Sequence, residues 1–130
     1  IQTLNHKISF NMLYFILNYK SIFDCIDYFK SIGFHNNSFI LGPLYTPLFL
    51  NVRHLPKNIK EEVITMFENK IAEQPGFYLQ NSLENCLKYL TQTNFHANIE
   101  LTKQNIKKMD LRRKLDSEKV FPELYKEVLN

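Results

Sequence analysis

Several residue types that carry common functional motifs are scarce in this chain. Its 130 residues include three Gly and no Trp. So few glycines argue against a Gly-rich phosphate-binding loop and against a β-barrel with many tight turns. The net charge of +3 is small and does not by itself predict nucleic-acid binding. No apolar run approaches the length of about 20 residues that a membrane-spanning helix needs, so we expect no membrane partner.

Cysteine and histidine are too few and too scattered to predict a metal site. Cys25 and Cys86 lie far apart in apolar segments, and we interpret them as two buried thiols of a cytoplasmic protein, with a disulfide or a metal pair as the alternatives. The four histidines are dispersed along the chain: His6, His35, His54 and His96. No two of them have the spacing at which a helix presents two zinc ligands. The Gly-x-Ser-x-Gly and Walker sequences are absent too, so we predict no catalytic residue.

The first half of the chain predicts a strand, a helix and a second strand. Residues 3–10 alternate loosely between apolar and polar, which is typical of a short strand. Over residues 21–32 the apolar positions recur every three or four residues, as on one helix face, and Gly33 is the expected stop. Residues 48–52 form an extended apolar run, which we interpret as the second strand. A shorter apolar run at 38–41, halted by a Gly-Pro pair, leaves the number of strands at two or three.

The second half predicts helices throughout. Pro56 suits the first turn of a helix, where its missing N–H costs nothing. Asn81 or Ser82 is the expected cap of the next helix. Residues 99–116 are rich in helix-forming residues, and a short helix is expected after Pro122. The expected total is three to four helices after the strands.

Together these elements predict a helix-dominated α/β fold in one domain over residues 1–130. A strand-helix-strand part is expected over residues 1–55 and a helical part over residues 56–130. The two strands should be parallel neighbours joined by the 21–32 helix, because such a crossover is how parallel strands are usually connected. The pattern therefore favours a β-α-β unit near the N-terminus.

Two groups of polar residues are candidates for ligand contact. Arg53 and His54 follow the second predicted strand, and ligands collect at strand carboxyl ends in α/β units; the alternative is a solvated strand end. The region 103–114 is basic and is a candidate for phosphate contact, with a solvated helix face or a protein partner as alternatives. Its basic residues are Lys103, Lys107, Lys108, Arg112, Arg113 and Lys114. Acidic residues interrupt the region, and Asp110 is spaced to form a helical ion pair with Arg113.

The closing residues MDLRRKLDSEKVFPEL resemble the end of radical S-adenosylmethionine proteins of the SPASM/twitch group. That segment runs roughly Leu-Asp-x-x-Arg, a short spacer, then Val-Phe-Pro-Glu-Leu, and Met109 replaces its first Leu here. The matching positions are Asp110, Arg113, Val120, Phe121, Pro122, Glu123 and Leu124. The middle, PLYTPLFLNVRHLPKNIKEEV, is similar to the place where a late barrel strand leads into a helix. The head, TLNHKISFNMLYF, is similar to the preceding strand.

The resemblance implies the C-terminal half of a partial barrel with no catalytic function of its own. The chemistry of the family starts from a four-iron cluster held by Cys-x-x-x-Cys-x-x-Cys, and this motif is absent from the sequence. Clustered cysteines for the twitch extension are absent too. We therefore expect no cofactor in this chain, whereas the parent protein would bind an iron–sulfur cluster and S-adenosylmethionine. Asn11 is the residue that the resemblance places nearest to a cofactor contact.

The chain begins with Ile1 rather than Met, so we expect a trimmed chain, a fragment or an incomplete reading frame. Half a barrel exposes sheet edges, and the isolated chain is expected to self-associate through such an edge or through apolar helix faces. The alternative, from a different class, is a small helical protein-interaction module without enzyme ancestry. Nucleic-acid binding through residues 103–114 is a third and less favoured interpretation.

Overall fold

The computed structural model describes residues 9–34, 38–73, 77–92 and 95–130, without the side chains of residues 77 and 78. The elements within these ranges are β1 (Phe10–Tyr14), α1 (Ser21–Ser31), β2 (Phe39–Pro43), α2 (Lys57–Glu73), α3 (Phe77–Thr91), α4 (Ile99–Arg113), α5 (Ser117–Val120) and α6 (Pro122–Leu124), the last running into a π-helical turn at Tyr125–Leu129. The fold is therefore α/β and dominated by helices, as the sequence predicts. None of the helices in these ranges is long and apolar enough to cross a membrane.

The two strands are parallel neighbours, and α1 is the crossover between them. Phe10 lies opposite Phe39 and Tyr14 lies opposite Pro43. The predicted β-α-β unit is thus present near the N-terminus, although the second strand is placed differently from the prediction. Of the first predicted strand, residues 3–8 lie outside the described part of the chain, and Phe10 opens β1.

The prediction of a second strand at 48–52 is wrong. Leu48–Leu50 and Val52–His54 are two successive 3₁₀ turns. Asn51 lies between them, and its side chain accepts a hydrogen bond from the Arg53 N–H at 2.9 Å. This local bond closes a turn in place of a strand ladder, which is a common role of asparagine. The second strand is β2 instead, formed by the shorter apolar run.

The helix predictions differ from the structure mainly at their ends. Helix α1 matches the predicted span to within one residue, and Gly33 follows it with a φ of 110°, a backbone conformation that favours glycine. Helix α3 begins at Phe77, so neither Asn81 nor Ser82 caps it. Helix α4 ends at Arg113, three residues before the predicted end at 116.

The helices cover one face of the sheet and form the core there. The strand side chains on this face are Phe10, Met12, Tyr14, Phe39 and Leu41. Phe10 stacks on Phe29 of α1 with ring centroids 4.4 Å apart. Tyr14 meets Phe67 of α2 edge to face at 5.0 Å, and Phe67 also contacts Phe23 of α1 at 4.9 Å. Such aromatic pairs add to the stabilisation that apolar burial provides, so α1, α2 and the sheet share one core.

Candidate functional site

The opposite face of the sheet carries no helix among the described residues. Successive side chains of a strand point to opposite faces, so the neighbours of the core residues point outward. They are Asn11 and Leu13 on β1 and Ile40 on β2, and we call these three residues the open sheet surface. Leu13 is 55% exposed and Ile40 is 49% exposed, which is unusual for apolar side chains of a parallel sheet, since such sheets are normally covered on both faces.

The two edges of the sheet differ in how their backbone groups are paired. On β2, the outward-pointing N–H of Leu41 donates to Ser82 Oγ of α3 at 3.1 Å, so α3 covers this edge. Pro43 occupies another outward position, where its missing N–H leaves the ladder to β1 intact. At Leu41 the edge of β2 is therefore paired with α3.

The outer edge of β1 is largely unpaired. The Tyr14 carbonyl accepts from the Leu44 N–H at 2.9 Å, so Tyr14 faces β2 and Leu13 faces away. The Leu13 carbonyl accepts from Asn18 Nδ2 at 2.8 Å. The Leu13 N–H and both backbone groups of Asn11 have no partner in the ranges 9–34, 38–73, 77–92 and 95–130. These groups are free to pair with a further strand.

Arg53 lies against aromatic rings and not at a strand end. Its guanidinium carbon is 3.9 Å from the centroid of the Tyr89 ring and 5.3 Å from that of Phe95, and its Nε donates to the Tyr89 carbonyl at 3.1 Å. The Tyr89 hydroxyl also bonds to the Asn51 side chain, and Lys60 Nζ donates to the Arg53 carbonyl at 2.9 Å. These contacts connect the 3₁₀ turns to α3 and α2, so Arg53 has a structural role.

His54 is buried, with 2% of its surface exposed. Its Nδ1 accepts from the Asn98 N–H at 2.8 Å, which leaves the ring proton on Nε2. Nε2 has no hydrogen-bond partner within the described residues. Burial lowers the pKa of His54, and the charge of Lys60 lowers it further, whereas the Leu48 carbonyl opposes both. The neutral ring joins the turn to the start of α4. The prediction of a solvated strand end is therefore wrong for His54, and a ligand contact there stays a prediction.

A cleft of about 380 Å³ lies at the carboxyl end of β2. Its walls are formed by Leu41, Gly42, Pro43, Tyr45, Asn85, Lys88, Tyr89 and Gln92. The rings of Tyr45 and Tyr89 meet edge to face at 5.1 Å. The lining offers one cation, two side-chain amides and an aromatic wall. It contains no carboxylate, imidazole or thiol, so the cleft can bind a ligand but provides no acid–base pair.

The described residues do not fit an iron–sulfur cluster. No group of three or more histidine, cysteine or acidic side chains converges anywhere in the described ranges. Cys25 is half-buried in α1 and Cys86 is buried in α3, and both are free thiols. Burial raises the pKa of both and brings that of Cys86 to about 12, so neither is a ready thiolate ligand. The prediction of a buried thiol is confirmed for Cys86, whereas Cys25 is free but only half-buried. His6 and His35 lie outside the described residues.

The basic region lies on α4, and its carboxylate does not form the predicted ion pair. Asp110 accepts from the Ser117 N–H at 2.9 Å and from the Ser117 hydroxyl at 2.6 Å. Arg113 is exposed and makes no ion pair with the acidic residues that the structure describes. Asp110 therefore fixes the start of α5 behind α4, and the pairing prediction is wrong.

The C-terminal segment that carries the family resemblance, residues 109–124, and the turn that follows it contact the first half of the fold. Leu124 is 2% exposed and joins the core, and Pro122 occupies the first turn of α6. Glu127 accepts from Lys20 Nζ at 2.9 Å and from the Tyr19 hydroxyl at 2.7 Å. The segment therefore contacts the residues just before α1, and its structural role is evident from these contacts.

Comparison of the chain with protein-family models, with curated proteins and with solved structures gives no match. The resemblance noted in the sequence has no support from these comparisons.

Sequence reasoning missed the aromatic cleft and the open sheet surface, although it named Asn11. Tyr45 and Tyr89 are far apart in the sequence, and their meeting depends on α3 lying beside β2. The rule that ligands collect after strands would have pointed to Tyr45 if β2 had been assigned correctly. Leu13 and Ile40 alternate with core residues, which is the available signal for an exposed face.

Proposed function

We propose that this chain is the non-catalytic C-terminal part of a radical S-adenosylmethionine-like protein, in which further strands pair with β1 and complete a barrel. The observation that carries the proposal is the open sheet surface. In an α/β barrel the helices cover the outer face of the strands and the inner face is filled by side chains of the other strands. A parallel pair with helices on one face and apolar side chains uncovered on the other has the form of one segment of such a wall.

The positions of the unpaired backbone groups indicate on which side of the sheet further strands would be added. On β2 the outward N–H of Leu41 is paired with Ser82 of α3, whereas on β1 Asn11 and Leu13 have backbone groups without a partner in the described part of the chain. Additional strands would therefore pair with β1. In that arrangement Asn11 faces the interior of the barrel, which is where the resemblance implies a cofactor contact. We assign no step of chemistry to this chain, because its described residues offer no ligands for the cluster.

The proposal includes two consequences for the isolated chain. The open sheet surface and the free β1 edge would remain exposed to water, so copies of the chain would associate through them. The free thiols of Cys25 and Cys86 are typical of a reducing compartment, so we place the protein in the cytoplasm.

The reading frame upstream of Ile1 tests the proposal directly. We expect it to continue and to encode a Cys-x-x-x-Cys-x-x-Cys motif before this segment. A frame that opens immediately before Ile1, or one that extends upstream without the motif, would refute the proposed ancestry.

Hydrogen exchange then tests the role of the sheet at the level of single amides. In the product of the longer frame, the N–H groups of Asn11 and Leu13 should exchange more slowly than in the isolated chain. The N–H groups of Met12 and Tyr14 serve as the matched control, because they face β2 in either case. Equal exchange at Asn11 and Leu13 in both proteins would show that no strand is added at β1.

A further inference from the structure

Helix α4 exposes a large apolar side chain at the centre of a basic surface. Leu111 is 79% exposed. At 3.6 residues per turn it lies on the side of α4 opposite to Thr102 and Ile106, which are buried against the rest of the fold. Leu115 and Val120, which follow α4, are 57% and 67% exposed and extend the apolar character beyond the helix end. Single exposed apolar side chains are common on protein surfaces, so the interest of Leu111 lies in the charged groups around it.

Basic side chains flank Leu111 on the same face. Lys107 and Lys108 lie one turn before it, and Arg112 is adjacent. All three are exposed, and none has a carboxylate within 4.0 Å among the residues described. Lys20 and Lys70, by contrast, each contact acidic side chains.

The acidic residues nearest in sequence are already engaged by the fold. Asp110 accepts two hydrogen bonds from Ser117. Asp116 caps α5 by accepting from the Lys119 N–H at 3.4 Å, and Glu118 accepts from Asn130 at 3.3 Å. Lys107 borders a cleft of about 290 Å³ that Asp110, Asp116 and Glu118 also line, yet it forms no ion pair there. These carboxylates keep their charge, but among the residues described none of them lies within 4.0 Å of the cationic groups of Lys107, Lys108 or Arg112.

We propose that the surface formed by Lys107, Lys108, Leu111 and Arg112 binds an acidic amphipathic segment of another protein. The carboxylates of that segment would meet the three cations, and one of its apolar side chains would pack on Leu111. The occupant follows from charge complementarity: a second copy of the same basic surface would be repelled. This inference goes beyond the proposed barrel, because it concerns a different face of the protein. It also assigns a specific surface to the alternative function, that of a protein-interaction module.

The chemistry of the surface favours a protein over nucleic acid. Surfaces that bind single-stranded nucleic acid combine basic groups with aromatic rings that stack on bases. The face of α4 around Leu111 has an aliphatic side chain at its centre and no aromatic residue between Ile99 and Arg113. A leucine in that place gains from contact with an apolar side chain and gains little from a phosphate backbone.

Fluorescence anisotropy with a labelled synthetic peptide tests this inference. The probe is a helix of about 18 residues with leucine at helical spacing and glutamate elsewhere. We expect saturable binding that weakens as salt is added. Leu111→Ser should weaken binding about tenfold, which is the effect of losing a central apolar contact. The double variant Lys108→Glu/Arg112→Glu should weaken it at least as much.

Matched controls distinguish peptide binding at this surface from non-specific binding elsewhere on the protein. Leu48→Ser removes an apolar side chain of similar exposure elsewhere, at 50%, and Lys57→Glu reverses an exposed lysine on α2. Both should bind the peptide as the unsubstituted chain does. Thermal unfolding should be unchanged by Leu111→Ser, because that side chain is outside the core.

Three outcomes would overturn the inference. The first is an absence of saturable peptide binding, and the second is binding that Leu111→Ser leaves unchanged. The third is binding of a single-stranded RNA that depends on Lys108 and Arg112 but not on Leu111, which would assign the surface to nucleic acid. None of these results concerns the β1 edge, so none of them would support or refute the proposed barrel.

Discussion

The contact between Lys20 and Glu127 should contribute measurably to stability, because it joins the two ends of the chain. Lys20 Nζ lies 2.9 Å from Glu127 and 2.8 Å from Glu62, and the Lys20 side chain is 14% exposed. Lys20→Met would remove the cation beside the partly buried Glu127, which would keep the hydrogen bond from the Tyr19 hydroxyl. Exposed pairs contribute about 0–1 kcal/mol, and breaking a buried pair costs about 3–5 kcal/mol. Glu127 is 26% exposed, so we expect a loss of about 1–2 kcal/mol.

A double-mutant cycle isolates this interaction. Lys20→Met, Glu127→Gln and the double variant are unfolded in urea and followed by circular dichroism. We expect each single variant to lower the midpoint by roughly 1 M, given the usual dependence of unfolding free energy on urea. The double variant should lose less than the sum, with a coupling of about 1 kcal/mol. The matched control is Lys57→Met, since Lys57 and Glu61 are 4.0 Å apart and largely exposed, and it should change stability by less than about 0.5 kcal/mol.

The coupling should depend on pH in a defined direction. Burial acts to raise the pKa of Glu127, but hydrogen bonds from Lys20 and Tyr19 outweigh it and lower the pKa below 4.5. A lowered carboxyl pKa gives stability that is present above the unfolded value and is lost as the pH falls through the folded value. Burial also acts to lower the pKa of Lys20, and its carboxylate partners outweigh that effect and raise it, so this contribution is complete below 10.5. Coupling below about 0.3 kcal/mol at neutral pH would refute the reasoning.

Three further expectations concern single groups in the core and at the end of α4. Ser82→Ala removes the acceptor of the buried Leu41 N–H and should cost about 1–3 kcal/mol, measured by thermal unfolding. Asp110→Asn weakens both bonds from Ser117 and should cost about 1 kcal/mol in urea unfolding. Cys86 is fully buried and its pKa is raised to about 12, so iodoacetamide at pH 8 should alkylate it only after unfolding, as mass spectrometry would report.

Each of these has a result that would count against it. Ser31→Ala removes an exposed helix hydroxyl and is the control for Ser82→Ala; equal losses would mean that the edge of β2 is not held by α3. An unchanged midpoint for Asp110→Asn would mean that α5 is positioned by other contacts. Rapid alkylation of Cys86 in the native chain would show that α3 is not packed as described.

Elements whose signal is local were predictable from the sequence. The apolar stripe of 21–32 and the glycine after it specify α1 and its end, since both depend on residues within a few positions of one another. The order of elements followed from the same reasoning, and the β-α-β unit was found even though its second strand was misplaced. Helix ends were less accurate. Ser82 has the side chain of a typical cap, but it lies inside α3, where its hydroxyl accepts from the Leu41 N–H of β2.

The second strand and the candidate site depended on distant contacts and were not predictable in this way. Residues 39–43 and 48–52 are both short apolar runs, and periodicity over five residues does not separate a strand from a turn. The choice is made by pairing with β1, by Ser82 of α3, and by the Asn51 side chain. Because the strand was misassigned, Arg53 was expected at a strand end, whereas it stacks on a ring from α3.

Sedimentation velocity of the isolated chain tests most directly the claim that the open sheet surface and the β1 edge form an interface. We expect the chain to exceed its monomer mass of 15.5 kDa as concentration rises, and Leu13→Lys/Ile40→Lys to restore the monomer. Tyr28→Lys, which replaces a side chain that is 60% exposed on α1, should leave the association unchanged. A chain that stays monomeric at every concentration, or an association that Leu13→Lys/Ile40→Lys does not reduce, would contradict the account.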